Sequence, residues 1–109
     1  MNVEDIFIGN GSMFGKGMYA NRDFKKGEIV IQYHLRSLSE DEYEQLPKEE
    51  HPFVHTHWGI KYLYSIPERY VNHSVHPNTL PNQDRTCDVA VRDIQKGEAI
   101  TTDATKDDI

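Results

Sequence analysis

A single cysteine, Cys87, stands in a chain of 109 residues. It excludes an internal disulfide and a cysteine zinc cluster, and it makes a reducing compartment the default expectation. Long apolar runs are also missing: Ile6-Phe7-Ile8 and Ile29-Val30-Ile31 are typical, each cut short by Gly, Asn, Asp or Gln. None approaches the length of a membrane span, and an N-terminus carrying Glu4 and Asp5 does not read as a signal peptide. Basic residues are in deficit, 12 Lys and Arg against 18 Asp and Glu, for a net charge of -6. That argues against nucleic acid, whose phosphates need clustered cations, and suits a basic partner. The expectation is one domain, 1–109, with no nucleic-acid or membrane role, cytoplasmic in location, or nuclear in a eukaryote.

What is present is a texture of short apolar segments separated by turn residues, which predicts many short strands and few helices. An internal echo organises it. Ala20-Asn21-Arg22-Asp23-Phe24-Lys25-Lys26-Gly27-Glu28-Ile29-Val30 recurs as Ala90-Val91-Arg92-Asp93-Ile94-Gln95-Lys96-Gly97-Glu98-Ala99-Ile100. Both copies read as strand, Arg-Asp, one apolar anchor, then a tight Lys-Gly-Glu turn whose glycine takes a positive φ. Between them, Ser39-Glu40-Asp41-Glu42 has the form of a capping box and opens a short helix through Leu46, which Pro47 stops. Residues 48–59 are polar and histidine-rich and read as a loop, Ile60 to Tyr64 as a strand, and 76–86 as a second loop. Thr101 to Ile109 reads as a polar tail.

Two segments carry candidate chemistry. Gly15-Lys16-Gly17-Met18 places bare glycines before a strand, where a ligand can approach the backbone; a glycine-rich hairpin turn has the same pattern. Arg69-Tyr70-Val71-Asn72-His73-Ser74-Val75-His76-Pro77-Asn78-Thr79 sets Asn72 and His73 where a core strand would continue apolar. An Asn amide both donates and accepts, which suits the edge of a planar base; a turn stapled by Asn and Ser is the alternative. His51, His55 and His57 offer imidazoles, but their spacings fit no single regular element. A solvated histidine loop is expected there, with no metal.

The Arg-x-x-Asn-His-Ser-x-x-Pro-Asn run closely resembles the signature of SET-domain protein-lysine methyltransferases, with Val75 where the family has cysteine. Gly15-Lys16-Gly17-Met18-Tyr19-Ala20, Gly27-Glu28-Ile29-Val30 and Gly97-Glu98-Ala99-Ile100-Thr101 follow in the family's order, so the resemblance spans residues 11–104. It implies a mostly β (β-rich α+β) fold of small curved sheets with a C-terminal pseudoknot and one short helix. Residues 39–64 would be the variable insert, and zinc-bearing flanks are absent. It further implies S-adenosylmethionine as cofactor, with S-adenosylhomocysteine as product, held by Gly15, Lys16, Gly17, Met18, Arg69, Asn72 and His73. Tyr33 would line the lysine channel as catalytic residue. A basic lysine-bearing protein or peptide is the implied substrate, and a homodimer is compatible with so small a domain. In one respect the chain departs: Ala104 stands where the family has a tyrosine whose hydroxyl lies by the transferring methyl, and Thr102 replaces the preceding aromatic. Tyr62 or Tyr64 is then the candidate to supply a hydroxyl. The departure leaves open a weak or inactive module that binds cofactor or peptide.

Overall fold

The computed structural model describes residues 5–106; Glu4 and the last three residues of the polar tail, 107–109, lie outside it. Ten strands run in chain order: β1 (Ile6–Met13), β2 (Lys16–Ala20), β3 (Ile29–Gln32), β4 (Arg36–Leu38), β5 (Val54–His57), β6 (Ile60–Leu63), β7 (Asn72–His73), β8 (Thr79–Pro81), β9 (Cys87–Ala90) and β10 (Ala99–Thr102). They form a four-stranded sheet in the order β1-β2-β10-β7 and two three-stranded sheets, β3-β9-β8 and β4-β6-β5. Every pairing is antiparallel except β10 with β7. The fold is mostly β, as expected.

Strands β2, β3 and β9 each bury consecutive residues, so they are covered on both faces and three small sheets share one core. Met18 from β2, Val30 and Ile31 from β3 and Ile100 from β10 meet there with Phe24 and Ile94, all at most 1% exposed. The single α-helix of the described residues, α1 (Glu40–Gln45), buries none of its side chains. Its ends do the work instead. Ser39 Oγ accepts from Glu42 N at 3.1 Å while Glu42 Oε1 accepts from Ser39 N at 3.0 Å, closing the predicted capping box.

Three expectations about loops need correction. Residues 48–59 hold a 3-10 turn, Lys48–Phe53, and then strand β5, which pairs with β6 from Val54↔Leu63 to His57↔Ile60. Histidine made this strand look like a loop. In a strand, His55 and His57 share a face, and both rings pack on Tyr64, with centroids 4.7 and 5.9 Å away. His57 is not solvated: it is 1% exposed, and its Nε2 is 3.0 Å from the Tyr64 hydroxyl. No group of three or more His, Cys, Asp or Glu able to hold a metal occurs among the described residues. The second expected loop, 76–86, contains β8, an edge strand that tolerates Pro81. The expected tail begins as strand, since Thr101 and Thr102 belong to β10, and a 3-10 turn follows at Ala104–Lys106.

The C-terminal segment is gripped by both arms of the 72–79 loop. On one side β10 runs parallel to β7, with Thr101 opposite Asn72 and Thr102 opposite His73, and Ser74 N donates to Thr102 O at 2.9 Å. On the other, Asn78 acts as a polar clamp. Its Nδ2 donates to Ala99 O at 2.8 Å, and its Oδ1 accepts from Thr101 N at 2.8 Å. Thr79 Oγ1 donates to Thr101 O at 2.7 Å. Asn78 and Thr79 are at most 1% exposed, so these bonds are shielded from water.

Candidate functional site

A cavity of about 220 Å³ opens where the three sheets converge, and its wall takes one or two residues from each neighbouring element. Tyr33 enters from the end of β3, His55 from β5, Tyr64 from the end of β6, Asp88 from β9 and Thr102 from β10. The 3-10 turn Glu68–Tyr70 adds Glu68 and Arg69.

The deepest polar group is Asp88, 2% exposed. Its Oδ1 accepts a hydrogen bond from the Tyr33 hydroxyl. Burial in a low-dielectric wall pushes its carboxyl up to about 7; the Tyr33 bond works against that rise, and the charge of Glu68 adds to it. Glu68 is 4% exposed and also raised, chiefly by burial. Its Oε1 accepts from His34 N at 2.9 Å and Ser65 N at 3.1 Å. Its Oε2 makes no hydrogen bond, and His34 Nδ1 stands 3.6 Å from it. Thr102, 4% exposed, likewise has no partner for Oγ1. A buried polar atom without a partner is costly, so such atoms are uncommon and call for a reason. Both that occur among the described residues belong to residues that line this one cavity.

Aromatic rings shape the rest of the wall. Tyr33 and Tyr64 lie 5.3 Å apart between centroids, and both are buried. Arg69 braces them from behind: its Nε and Nη2 donate to Tyr64 O at 3.0 and 2.7 Å. Nη1 donates to Glu50 Oε2 at 2.6 Å, and the guanidinium lies 4.4 Å from the centre of Phe53. Ala104 also lines the cavity. Of the two tyrosines considered as hydroxyl donors, Tyr64 reaches this cavity with its hydroxyl against His57, whereas Tyr62 packs its ring 5.1 Å from His57 and is not on the wall.

A second arrangement adjoins it. Asn72 ties the β1–β2 hairpin to the loop: its Nδ2 donates to Lys16 O at 3.0 Å and Tyr70 O at 3.1 Å, while Ser12 N donates to its Oδ1 at 3.0 Å. The close approach requires glycine, since a Cβ at Gly11 would sit 2.5 Å from Asn72 Oδ1 and one at Gly17 3.0 Å from it. Gly15 turns the hairpin at φ 82. His73 Nδ1 accepts from Ala104 N at 3.0 Å, joining the loop to the C-terminal turn. Because β7 is an edge strand, alternate backbone groups, those of His73, face away from β10.

The structure therefore brings Tyr33, Arg69 and His73 onto the cavity, and Gly15, Lys16, Gly17 and Asn72 together beside it. Met18 stands apart, its side chain in the core and its backbone between Ile8 and Ile100. Sequence reading passed over Asp88 and Glu68, and named Thr102 only as the replacement of an aromatic. Asp88 did leave a signal, an acidic residue inside the strand Cys87-Asp88-Val89-Ala90; Glu68, in a polar stretch after Pro67, left none.

Comparison with known proteins bears on this geometry. A family model described as SET domain matches residues 15–103. Histone-lysine N-methyltransferase 2D of Homo sapiens and of Mus musculus are each 27% identical over 114 residues, covering 91% of this chain and 2% of theirs. A solved structure from Plasmodium falciparum, provisionally described as a histone methyltransferase, aligns with a TM-score of 0.72. It is 23% identical and covered over 94% of both chains, a likeness of fold.

Proposed function

Because the chain belongs to the SET-domain family, of which its residues 15–103 carry the match, we propose that it is a protein-lysine N-methyltransferase dependent on S-adenosylmethionine. The observation that carries this reading is the cavity: two buried acidic side chains, Asp88 and Glu68, among the aromatic residues Tyr33, Phe53 and Tyr64. An acidic, aromatic cleft matches a cationic group on an apolar stem, which is a lysine side chain.

The residues beside the cavity fit the cofactor. Gly15 leaves open space at the hairpin turn, Gly11 and Gly17 let Asn72 close on the hairpin, and the outward groups of His73 are open on the edge strand. Lys16, Gly17, Asn72 and His73 would hold it, with Gly15 turning the hairpin and Asn72 fixing the hairpin against the loop. When bound, the cofactor supplies an electrophilic methyl on sulfonium. The protein's own part is orientation and exclusion of water. Tyr33 and Tyr64 would confine the amine's stem, with Arg69 stiffening the wall behind them and the acidic side chains of Asp88 and Glu68 lining the same cavity. A histone is the substrate class named for the curated relatives, and a basic peptide suits a chain of net charge -6.

The test pairs calorimetric titration of S-adenosylmethionine with mass spectrometry of basic lysine peptides incubated with both. Saturable binding and methylated peptide are expected. A second reading, a module that binds cofactor or peptide without turnover, draws on Ala104, which brings no hydroxyl to the cavity. Saturable binding with every peptide unmodified selects it.

A further inference from the structure

Strand β1 has β2 on one side and, among the described residues, no strand on the other. Such an edge presents a row of unpaired N–H and C=O groups, which proteins ordinarily guard with lysine, proline, a bulge or a covering loop. This edge has little guard. Ile6-Phe7-Ile8-Gly9-Asn10-Gly11-Ser12-Met13 holds neither a charge nor a proline, in a chain of net charge -6. Its one irregularity lies beyond Asn10, so Ile6 to Asn10 pairs regularly with β2. The charge that precedes it, Asp5, is paired with Arg22 at 3.3 Å. Both faces beside the edge are apolar as well. On one, the Phe7 and Tyr19 rings stack at 5.4 Å, and a Cβ at Gly9 would stand 2.7 Å from the Tyr19 ring. Along the strand runs a groove of about 350 Å³, lined by Ile6, Phe7, Ile8, Met18, Ile66 and Pro67. Phe7, Ile8 and Ile66 are 43%, 44% and 58% exposed, so three large apolar side chains left open to water meet in one place.

We propose that this edge docks a second copy of the chain, β1 pairing antiparallel with β1 about a two-fold axis. The lack of charge selects that occupant. Two copies of net charge -6 repel wherever charged surfaces meet, so a face that docks on itself has to be neutral. A basic or acidic partner finds nothing there to pair with. The segment is also self-complementary. An antiparallel pair centred on Phe7 sets Phe7 opposite Phe7 and Ile6 opposite Ile8, so apolar side chains meet on both faces of the strand. A contact of this symmetry closes at two copies and joins the two four-stranded sheets into one. Pairing is independent of methyl transfer. The same strand carries Gly11 and Ser12, which meet Asn72, so a dimer would hold the glycine hairpin from both sides.

The experiment is sedimentation equilibrium of the full chain from about 5 to about 500 µM, at low and high salt, for wild type, Ile8→Lys and Trp58→Lys. Ile8 is half-exposed, so a lysine there reaches solvent in the monomer, whereas in the dimer it buries a cation without a partner. Trp58, exposed on the turn between β5 and β6, gives the same change of charge on another sheet. Expected is a monomer–dimer equilibrium in the micromolar range, as befits a small contact. It should tighten as salt rises from about 0.05 to about 0.5 M, because salt screens the repulsion between copies. Ile8→Lys should weaken it on the order of a hundredfold, and Trp58→Lys should leave it within about twofold. A wild type that stays monomeric at the highest concentration overturns the proposal and leaves the edge to another chain. So does a dimer that survives Ile8→Lys, one that Trp58→Lys abolishes, one that salt weakens, or an assembly that grows beyond two copies. Where Ile8→Lys does not fold, amide hydrogen exchange of wild type decides. Exchange across Ile6 to Asn10 that slows with rising protein concentration supports the pairing, and unchanged exchange overturns it.

Discussion

Phe24 and Ile94 exchange both of their backbone hydrogen bonds, Phe24 N to Ile94 O at 2.8 Å and Ile94 N to Phe24 O at 2.9 Å. Around this pair the two echoed segments lock head to tail. Gly27 N donates to Ala90 O and Gly97 N to Ala20 O, both at 2.8 Å; Ala20 N donates to Glu98 O and Ala90 N to Glu28 O, both at 2.9 Å. Asp23 Oδ1 accepts from Lys96 N at 2.8 Å and Asp93 Oδ1 from Lys26 N at 2.9 Å. The repeat is one interlock with local two-fold symmetry. It fastens the β1-β2-β10-β7 sheet to the β3-β9-β8 sheet, and so sets Thr102 and Asp88 around a common cavity.

The symmetry predicts equal costs at its two turns. Gly27 and Gly97 both have φ 93, and an added Cβ meets nothing within 4 Å at either position. Alanine there pays only for backbone conformation, about 1–2 kcal/mol. Gly27→Ala and Gly97→Ala should shift the urea midpoint down by the same amount, within about 0.5 kcal/mol, at an unchanged slope. A large difference between them would show that one turn bears on more than the interlock.

Asn72→Ala should weaken S-adenosylmethionine binding tenfold or more, since it releases Ser12 N, Lys16 O and Tyr70 O and frees the glycine hairpin from the loop. The stability loss should be about 1–3 kcal/mol, the range for orphaned hydrogen-bonding groups. Calorimetry and urea denaturation of the same sample separate the two effects. Undiminished affinity would mean the hairpin does not contribute to the cofactor site.

The pH dependence of stability follows from Asp88. Its folded carboxyl titrates near 7, above the ordinary value of 3.8 that applies when unfolded. Between those values the folded protein holds a proton that the unfolded chain has lost, so stability is greatest toward acid and falls as pH rises to about 7. Glu68 is raised too and acts in the same direction. Asp88→Asn removes the larger part of this slope, leaving the variant more stable than wild type at pH 8 by on the order of 2–4 kcal/mol. Thermal melting of both proteins from pH 4 to 8 reads it directly. Wild-type stability that rises over this range would contradict the raised carboxyl.

Where local chemistry decided the structure, the sequence could be read. Ser39 and Glu42 cap α1 from within four residues, and the Lys-Gly-Glu turns place Gly27 and Gly97 at positive φ without outside help. Asn72 and His73 were conspicuous because polar side chains interrupted an apolar run. What sequence did not reveal depended on partners far along the chain. The β5 strand is hidden by histidines whose burial makes sense only with Tyr64 in place, and Asp88 gains its character from burial in the assembled core, where it also bonds to Tyr33, 55 residues away. The two copies of the echo were visible as a repeat, but their pairing with each other was not, because similar sequence says nothing about which segments touch.

Thr102 separates stability from activity. Its hydroxyl is buried and unpartnered, and the residue lines the cavity with Ala104, the position at which the resemblance implies a tyrosine. Thr102→Val keeps the shape of the side chain and deletes only that oxygen. With no hydrogen bond lost, folding stability should hold or rise, by up to about 1 kcal/mol, as a desolvated polar atom is removed. Methyl transfer should slow tenfold to about a hundredfold if this oxygen stands in for the absent hydroxyl near the transferring methyl. A merely structural threonine would move the two measurements together or neither. A stable variant with slowed kcat and unchanged cofactor affinity places Thr102 in the chemistry, whereas unchanged kcat leaves it outside.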